Sequence, residues 1–263
     1  PVEGKTTGRV DLTFNGTNFR TASGTLNADI AANAGSADRG LIPVNGKLKL
    51  SGVNGLFKVD LASVNSEKSK LDASGRFDLK DENSNLTIAL RSTDASEVDR
   101  IIRVLGVSPD LEHQLDSMQV EFAGNLSFDG NVTGNLSDPT VVGKASLDSL
   151  SMRGKEVGSV ATEIFVSPLG VELRNGKLQE RCGGSALFTV NIQYGGANNI
   201  AVQATLSGVN AGNLLAALPV ELPERLRVLG GITSGTVVIT GLPNEPRGQL
   251  TPPEALGTGP RQP

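Results

Sequence analysis

The stretch from Gly124 to Gly143, GNLSFDGNVTGNLSDPTVVG, decides the fold. Leu126, Phe128, Val132 and Leu136 stand on even positions, and Gly130 and Gly134 fill the even slots between them. Asn125, Ser127, Asp129, Asn131, Thr133 and Asn135 take the odd positions. Alternation of this kind is the pattern of a strand with one apolar and one polar face. At about 3.3 Å per residue the run from Leu126 to Leu136 would extend roughly 36 Å, longer than an ordinary globular strand. The glycines bring no packing side chain, so they mark bends or close backbone approaches. Asp138-Pro139 breaks the ladder because proline has no N–H to donate. Val141, Gly143, Ala145 and Leu147 then restart the alternation on odd positions.

The same grammar runs outward in both directions. Val10, Leu12 and Phe14 alternate before the turn signal Asn15-Gly16, and Leu26, Ala28 and Ile30 follow. Asn33 to Gly40 reads as a small-residue loop. Leu48 and Leu50 precede a turn at Ser51-Gly52 and Asn54-Gly55, and Phe57, Val59 and Leu61 come after it. Phe77 and Leu79 follow Ser74-Gly75; Leu86, Ile88 and Leu90 follow the polar turn Asp81 to Asn85. Residues 94–106 change period: Val98, Ile101, Ile102 and Leu105 fall on one helix face. Asp94 is placed to cap that helix, with Glu97 at capping-box spacing and Gly106 as its stop.

The second half replays the first. The strand from Leu86 into Asp94-Ala95 parallels the strand from Val202 into Asn210-Ala211, and each is followed by a segment closing on Arg-Val-Leu-Gly, at 103–106 and 227–230. Leu218-Pro219 to Leu222-Pro223 breaks the second helical segment. The sequence therefore divides into one elongated β domain over 1–250, with repeats at about 46–143 and 156–248, and a non-periodic tail at 251–263.

Composition narrows the function classes. The chain has 263 residues, 32 glycines, no tryptophan and a net charge of -4, with lysines and arginines scattered. That argues against nucleic acid as a partner. No apolar run is long enough for a spanning helix, and Pro1 begins in mid-pattern, as in a segment of something longer. Cys182 reads as a small strand filler and His113 as a solvated residue. One histidine and one cysteine cannot make a zinc site. Asp81-x-Asn83-x-Asn85 mimics the start of a calcium loop, but Leu86 and Ser92 stand where glycine and glutamate are needed. No phosphate-binding loop or nucleophile elbow occurs, so no catalytic residue, metal or cofactor is expected. Glycosylation sequons at Asn15, Asn85, Asn125, Asn131 and Asn135 are what chance supplies in so polar a chain.

What remains is the apolar face. A second sheet, a bilayer or lipid chains in a trough could each cover it. A membrane barrel lacks its aromatic girdles here. Composition does not choose between a closed sandwich and a trough.

Gly134-x-Leu136-x-x-Pro139-x-Val141-x-Gly143 resembles a turn recurrent in AsmA-like and TamB-like proteins of Gram-negative envelopes. Ser149 to Gly158, Gly170 to Leu178, Ser207 to Leu214 and Gly231 to Gly241 are similar in the same way, over roughly residues 46–250. The resemblance implies a mainly all-β chain: a long curled antiparallel sheet forming a taco-like groove of two repeats, with two short helical insertions. It implies a periplasmic location, with a tether to the inner membrane through a helix outside this segment. It implies carriage of phospholipid acyl chains between inner and outer membranes without a catalytic residue. An outer-membrane β-barrel and adjacent segments of the parent chain are the further partners it suggests. The alternative is a non-enzymatic scaffold for outer-membrane protein assembly, or a β-repeat module with a closed core. The lining expected of a groove is Leu86, Ile88 and Leu90, then Leu126, Phe128, Val132 and Leu136, then Ile200, Val202, Ala204 and Leu206.

Overall fold

A computed structural model describes residues 2–33, 41–80, 84–105, 116, 119–135, 138–181, 183–194, 200–210, 231–242 and 245–251. The first strands are β1 (Val2–Glu3), β2 (Lys5–Asn15), β3 (Asn18–Ala31), β4 (Ile42–Pro43), β5 (Asn45–Val53) and β6 (Leu56–Asn65). Next come β7 (Ser69–Asp78), β8 (Ser84–Ser92), helix α1 (Ala95–Leu105), β9 (Val120–Gly134), β10 (Thr140–Met152) and β11 (Lys155–Ser167). The last are β12 (Gly170–Gln179), β13 (Ser185–Gln193), β14 (Ile200–Asn210), β15 (Ile232–Leu242) and β16 (Glu245–Thr251).

Fourteen strands form one sheet in the order β16-β15-β14-β13-β12-β11-β10-β9-β8-β7-β6-β5-β3-β2. Every ladder in it is antiparallel, so this is a meander in which each strand pairs with its chain neighbours. β1 and β4 make a separate parallel pair. The sheet is curled and unclosed. At about 4.8 Å per strand, its thirteen steps span about 62 Å.

A meander gives the sheet two edges made of strand ends. The β2–β3, β5–β6, β7–β8, β9–β10 and β11–β12 turns lie along the first edge. The β6–β7, β10–β11 and β12–β13 turns lie along the second, as does the connection carrying α1.

Local sequence explains these elements. Asn15-Gly16 turns β2 into β3, with Gly16 at φ 58, and Asn54-Gly55 turns β5 into β6, with Asn54 at φ 50. Ser51-Gly52 and Ser74-Gly75 are different: both lie inside strands, not in turns. Gly75 sits at a register shift between β6 and β7, with φ at 121. The strand β7 continues through it, and the extra residue of the bulge lies opposite, in β6 between Val59 and Ala62.

Helix α1 runs where its period predicts. Asp94 caps it, its Oδ1 accepting the Ser96 N–H at 3.1 Å and the Ser96 hydroxyl at 2.7 Å. The capping box does not close, because the Asp94 N–H donates to Ser92 Oγ. Glu97 turns instead into the sheet and is 4% exposed. Its carboxylate accepts the hydroxyls of Ser66 and Ser69, each at 2.5 Å. Arg103 donates to Asp99 at 2.8 Å and Asp116 at 2.6 Å, which raises its pKa well above the ordinary value. The helix thus rests against β8 and β9 at the second edge. The second helical segment, the tail from 252, His113, Cys182 and the Asp81 and Asn83 positions lie outside the described residues.

The Asp94 cap carries a pH dependence. The Ser96 hydroxyl and N–H hold the Asp94 carboxyl below its usual range, against the opposing effect of burial. A folded value below the unfolded one means the cap is fully present above about pH 4 and is lost as pH falls through the depressed value. Asp94→Ala should therefore cost about 1 kcal/mol at neutral pH. Amide exchange at Ser96 should be faster in the variant at pH 7, and the two proteins should converge in acid. Equal exchange at pH 7 would remove the cap from the account.

Candidate functional site

Register pairs are lateral neighbours on one face, so following them across the ladders draws the surface of the sheet. One row runs Ala28, Leu48, Ala62, Ala73, Ile88, Gly130, Gly143, Ile164, Leu173, Val190, Val202 and Ile239. A parallel row nearer the first edge runs Leu26, Leu50, Val59, Gly75, Leu86, Val132, Val141, Val166, Val171, Ile192 and Ile200. Both rows are apolar from end to end and cross the strands at right angles. The apolar face is therefore a set of continuous tracks, not a patch.

Leu86 pairs with Val132 and Leu90 with Phe128, while Leu126 pairs with Leu147. Ile88 faces Gly130 across the same ladder. Ile200, Val202, Ala204 and Leu206 lie on β14, on the same tracks five strands further along. Leu136 lies outside the described residues. Leu206 differs from the others: it is 3% exposed, inside a packed cluster with Val157, Leu178, Ala186 and Val209 near the second edge. Ala204 packs against that cluster.

Away from the cluster the coverage is uneven: Val59, Val171 and Ile192 of the second row and Ile239 of the first are buried. Every residue of the first row from Ala28 to Val202 is half-buried. Val209 is the one large side chain that is fully buried among the described residues. A sandwich buries the facing sides of both its sheets at crystal-like density. Most of this sheet does not.

Three phenylalanines shape the floor. The Phe128 ring lies over Gly130 and Gly143, where an added Cβ would come within 2.5 Å and 2.6 Å of it. A Cβ added at Gly52 would come within 2.6 Å of the Phe57 ring, and one added at Gly176 within 2.5 Å of Phe188 Cζ. Glycine removes the side chain that would prop the ring upright, so the ring lies flat and covers bare backbone. Sequence reading marked Gly130 and Gly143, though not the ring that covers them, and placed Gly52 in a turn. The signal was present, since each glycine has a phenylalanine on the same strand or on its ladder partner.

The opposite face is polar and cross-linked. Arg91 makes a two-pronged bond to Asp129, with both contacts at 2.7 Å. Ser51 donates to Asp60 and Ser63 to Asp72, each at 2.6 Å. The Asp60 carboxyl is lowered by Ser51 and then Lys58; the Asp72 carboxyl is lowered by Lys70 and then Ser63. A hollow of 1180 Å³ opens on this polar side, among Asp11, Ser51, Lys58 and Arg76. It is broad and shallow, and its charges are of mixed sign. No cluster of three or more potential metal ligands occurs among the described residues.

No family model, no curated protein and no solved structure matches the chain.

Flattened rings imply coupling. Gly176→Ala should cost about 1–3 kcal/mol by forcing the Phe188 ring off the floor. In a Phe188→Ala background the same change should be nearly neutral, giving an interaction energy measurable by urea denaturation of all four proteins. Additive losses would show that the ring does not depend on the glycine.

Proposed function

We propose that the apolar face carries phospholipid acyl chains, and that the chain is a segment of a lipid-transfer groove in the Gram-negative periplasm. The observation that carries this reading is the row from Ala28 to Val202, whose apolar side chains are only half-buried along the sheet. Burying each acyl CH₂ on such a surface recovers about 0.8 kcal/mol, which offsets the cost of leaving a membrane. Movement along the tracks requires no catalytic group. The AsmA-like and TamB-like glycine turns support the same reading. The packed cluster around Leu206 and Val209 favours ordinary core for the second edge between β10 and β14. The carrying surface is therefore assigned to the remainder of the face.

Native mass spectrometry after expression in a Gram-negative periplasm tests the proposal. The wild-type chain should retain phospholipid. Val132→Asp, on the half-buried face, should lose it, while Asn131→Asp, on the exposed polar face, should keep it. A lipid-free wild type, or a Val132→Asp protein that unfolds while Ile88→Thr stays folded and lipid-bound at wild-type level, would overturn the reading in favour of a closed core.

A further inference from the structure

The two outermost strands, β2 and β16, end the sheet differently. β16 is 7 residues long and carries Pro246, which has no N–H to offer a further strand. β2 is 11 residues long, has no proline, and keeps a regular register with β3 from Lys5 to Thr13. All its residues are exposed except Leu12, and Val10 is 61% exposed. The usual protections of an outermost strand are a proline, a bulge or a charge on the apolar face, and that run has none of them. β1 does not cover it either. Val2 and Glu3 lead away from the free side of β2 to pair with β4 past the end of β3.

The free side of β2 is complementary to itself. Thr7-Gly8-Arg9-Val10-Asp11-Leu12-Thr13 is symmetric in character about Val10. Two antiparallel copies centred there set Val10 against Val10, Arg9 against Asp11, Gly8 against Leu12 and Thr7 against Thr13. The faces agree as well. Gly8, Val10 and Leu12 share the face of Ala28, Leu26 and Gly24, while Thr7, Arg9, Asp11 and Thr13 share the polar one. Moving the axis by one residue would set Arg9 against Arg9 or Asp11 against Asp11. A register slip of one residue would set apolar side chains against polar ones. Among the described residues Arg9 and Asp11 have no ion pair, whereas Asp29 and Lys47 on the next two strands have one.

We propose that β2 is a dimerisation strand, pairing antiparallel with β2 of a second copy about a two-fold axis at Val10 and joining the two fourteen-stranded sheets into one. Main-chain hydrogen bonds along the strand supply the affinity, and the two Arg9–Asp11 contacts fix the register. A second copy is favoured over a different protein because the charge pattern that fits this strand is its own, read backwards. The contact is isologous, so the assembly closes at two. The apolar row through Leu26 and Val10 then continues into Val10 and Leu26 of the second copy, and the tracks run on across the axis. The proposal is independent of what the tracks carry.

Sedimentation equilibrium of the 263-residue chain and its charge variants tests the register as well as the dimer. The wild type should be a dimer that dissociates on dilution. Arg9→Asp sets Asp against Asp twice and Asp11→Arg sets Arg against Arg twice, so each alone should weaken dimerisation by about tenfold. The double variant exchanges the two charges and should recover wild-type affinity. An equal mixture of the two single variants should form a heterodimer, because each supplies the charges the other lacks. All four positions are exposed charges on a strand face, and circular dichroism checks that each variant keeps its sheet. Val10→Cys in a Cys182→Ser background should cross-link to its own copy on oxidation, whereas Thr13→Cys should not, its own copy lying beyond disulfide reach. A monomeric wild type, single variants that dimerise as well as the wild type, or a double variant no tighter than the singles overturns the proposal. Cross-linking at Thr13→Cys equal to that at Val10→Cys, or oligomers that lengthen without closing at two, also overturns it; the last would mean pairing of β2 with a different strand.

Discussion

Strand register is what the rest of this molecule depends on. Side chains alternate with a period of two, so a slip of one residue would turn a strand's apolar side to the polar face. In a layered protein a second sheet or a row of helices helps to select the right face. Among the described residues each strand of the sheet has only its ladder neighbours, and α1 alone adds a second layer, over β8 and β9. The continuity of the apolar rows from β3 to β15 therefore requires many register choices to agree in series.

The polar face helps to make those choices. Asp129, Lys144, Glu163 and Arg174 are successive ladder partners across β9 to β12, alternating in sign. Asp29 and Lys47 pair in the same way between β3 and β5. Each such exposed pair contributes little to stability, on the order of 0–1 kcal/mol. Their value lies in discrimination, since a slipped strand loses its pair and can bring like charges together. Gly75 shows the complementary device: a side chain there would strike the Asn85 carbonyl of β8, so glycine lets β7 keep its ladder with β8 opposite the bulge in β6.

The sequence made much of this legible, and the limits have a physical origin. The alternation at Leu126, Phe128 and Val132 and the Asn-Gly turns located strands and hairpins, because those signals are local. The helix from Asp94 was equally plain, down to its cap. Bulges were not legible. Ser74-Gly75 has the composition of a turn, yet β7 passes through it. In β12 the apolar residues Val171 and Leu173 stand on odd positions and Leu178 on an even one, because the ladder shifts between Leu173 and Gly176. Parity read from one end of a strand therefore fails at the other. For the same reason Leu206 continues the pattern of Ile200 and Val202 but ends in a packed cluster: the ladder shifts after it, and Val209 comes in beside it. The flattened phenylalanines were missed because their role is a relation between two strands, whereas periodicity describes one strand at a time.

A meander also limits how such a chain can change length. Each added strand reverses the direction of the chain, so inserting a single strand would move every later turn to the opposite edge. Turns bearing Leu169 would then lie beside those bearing Lys68. Insertion or deletion of a whole hairpin leaves both edges intact and every later row in place. The sheet can therefore lengthen or shorten only in steps of two strands, and duplication of an even-stranded block is the change that this architecture accepts with the least repair.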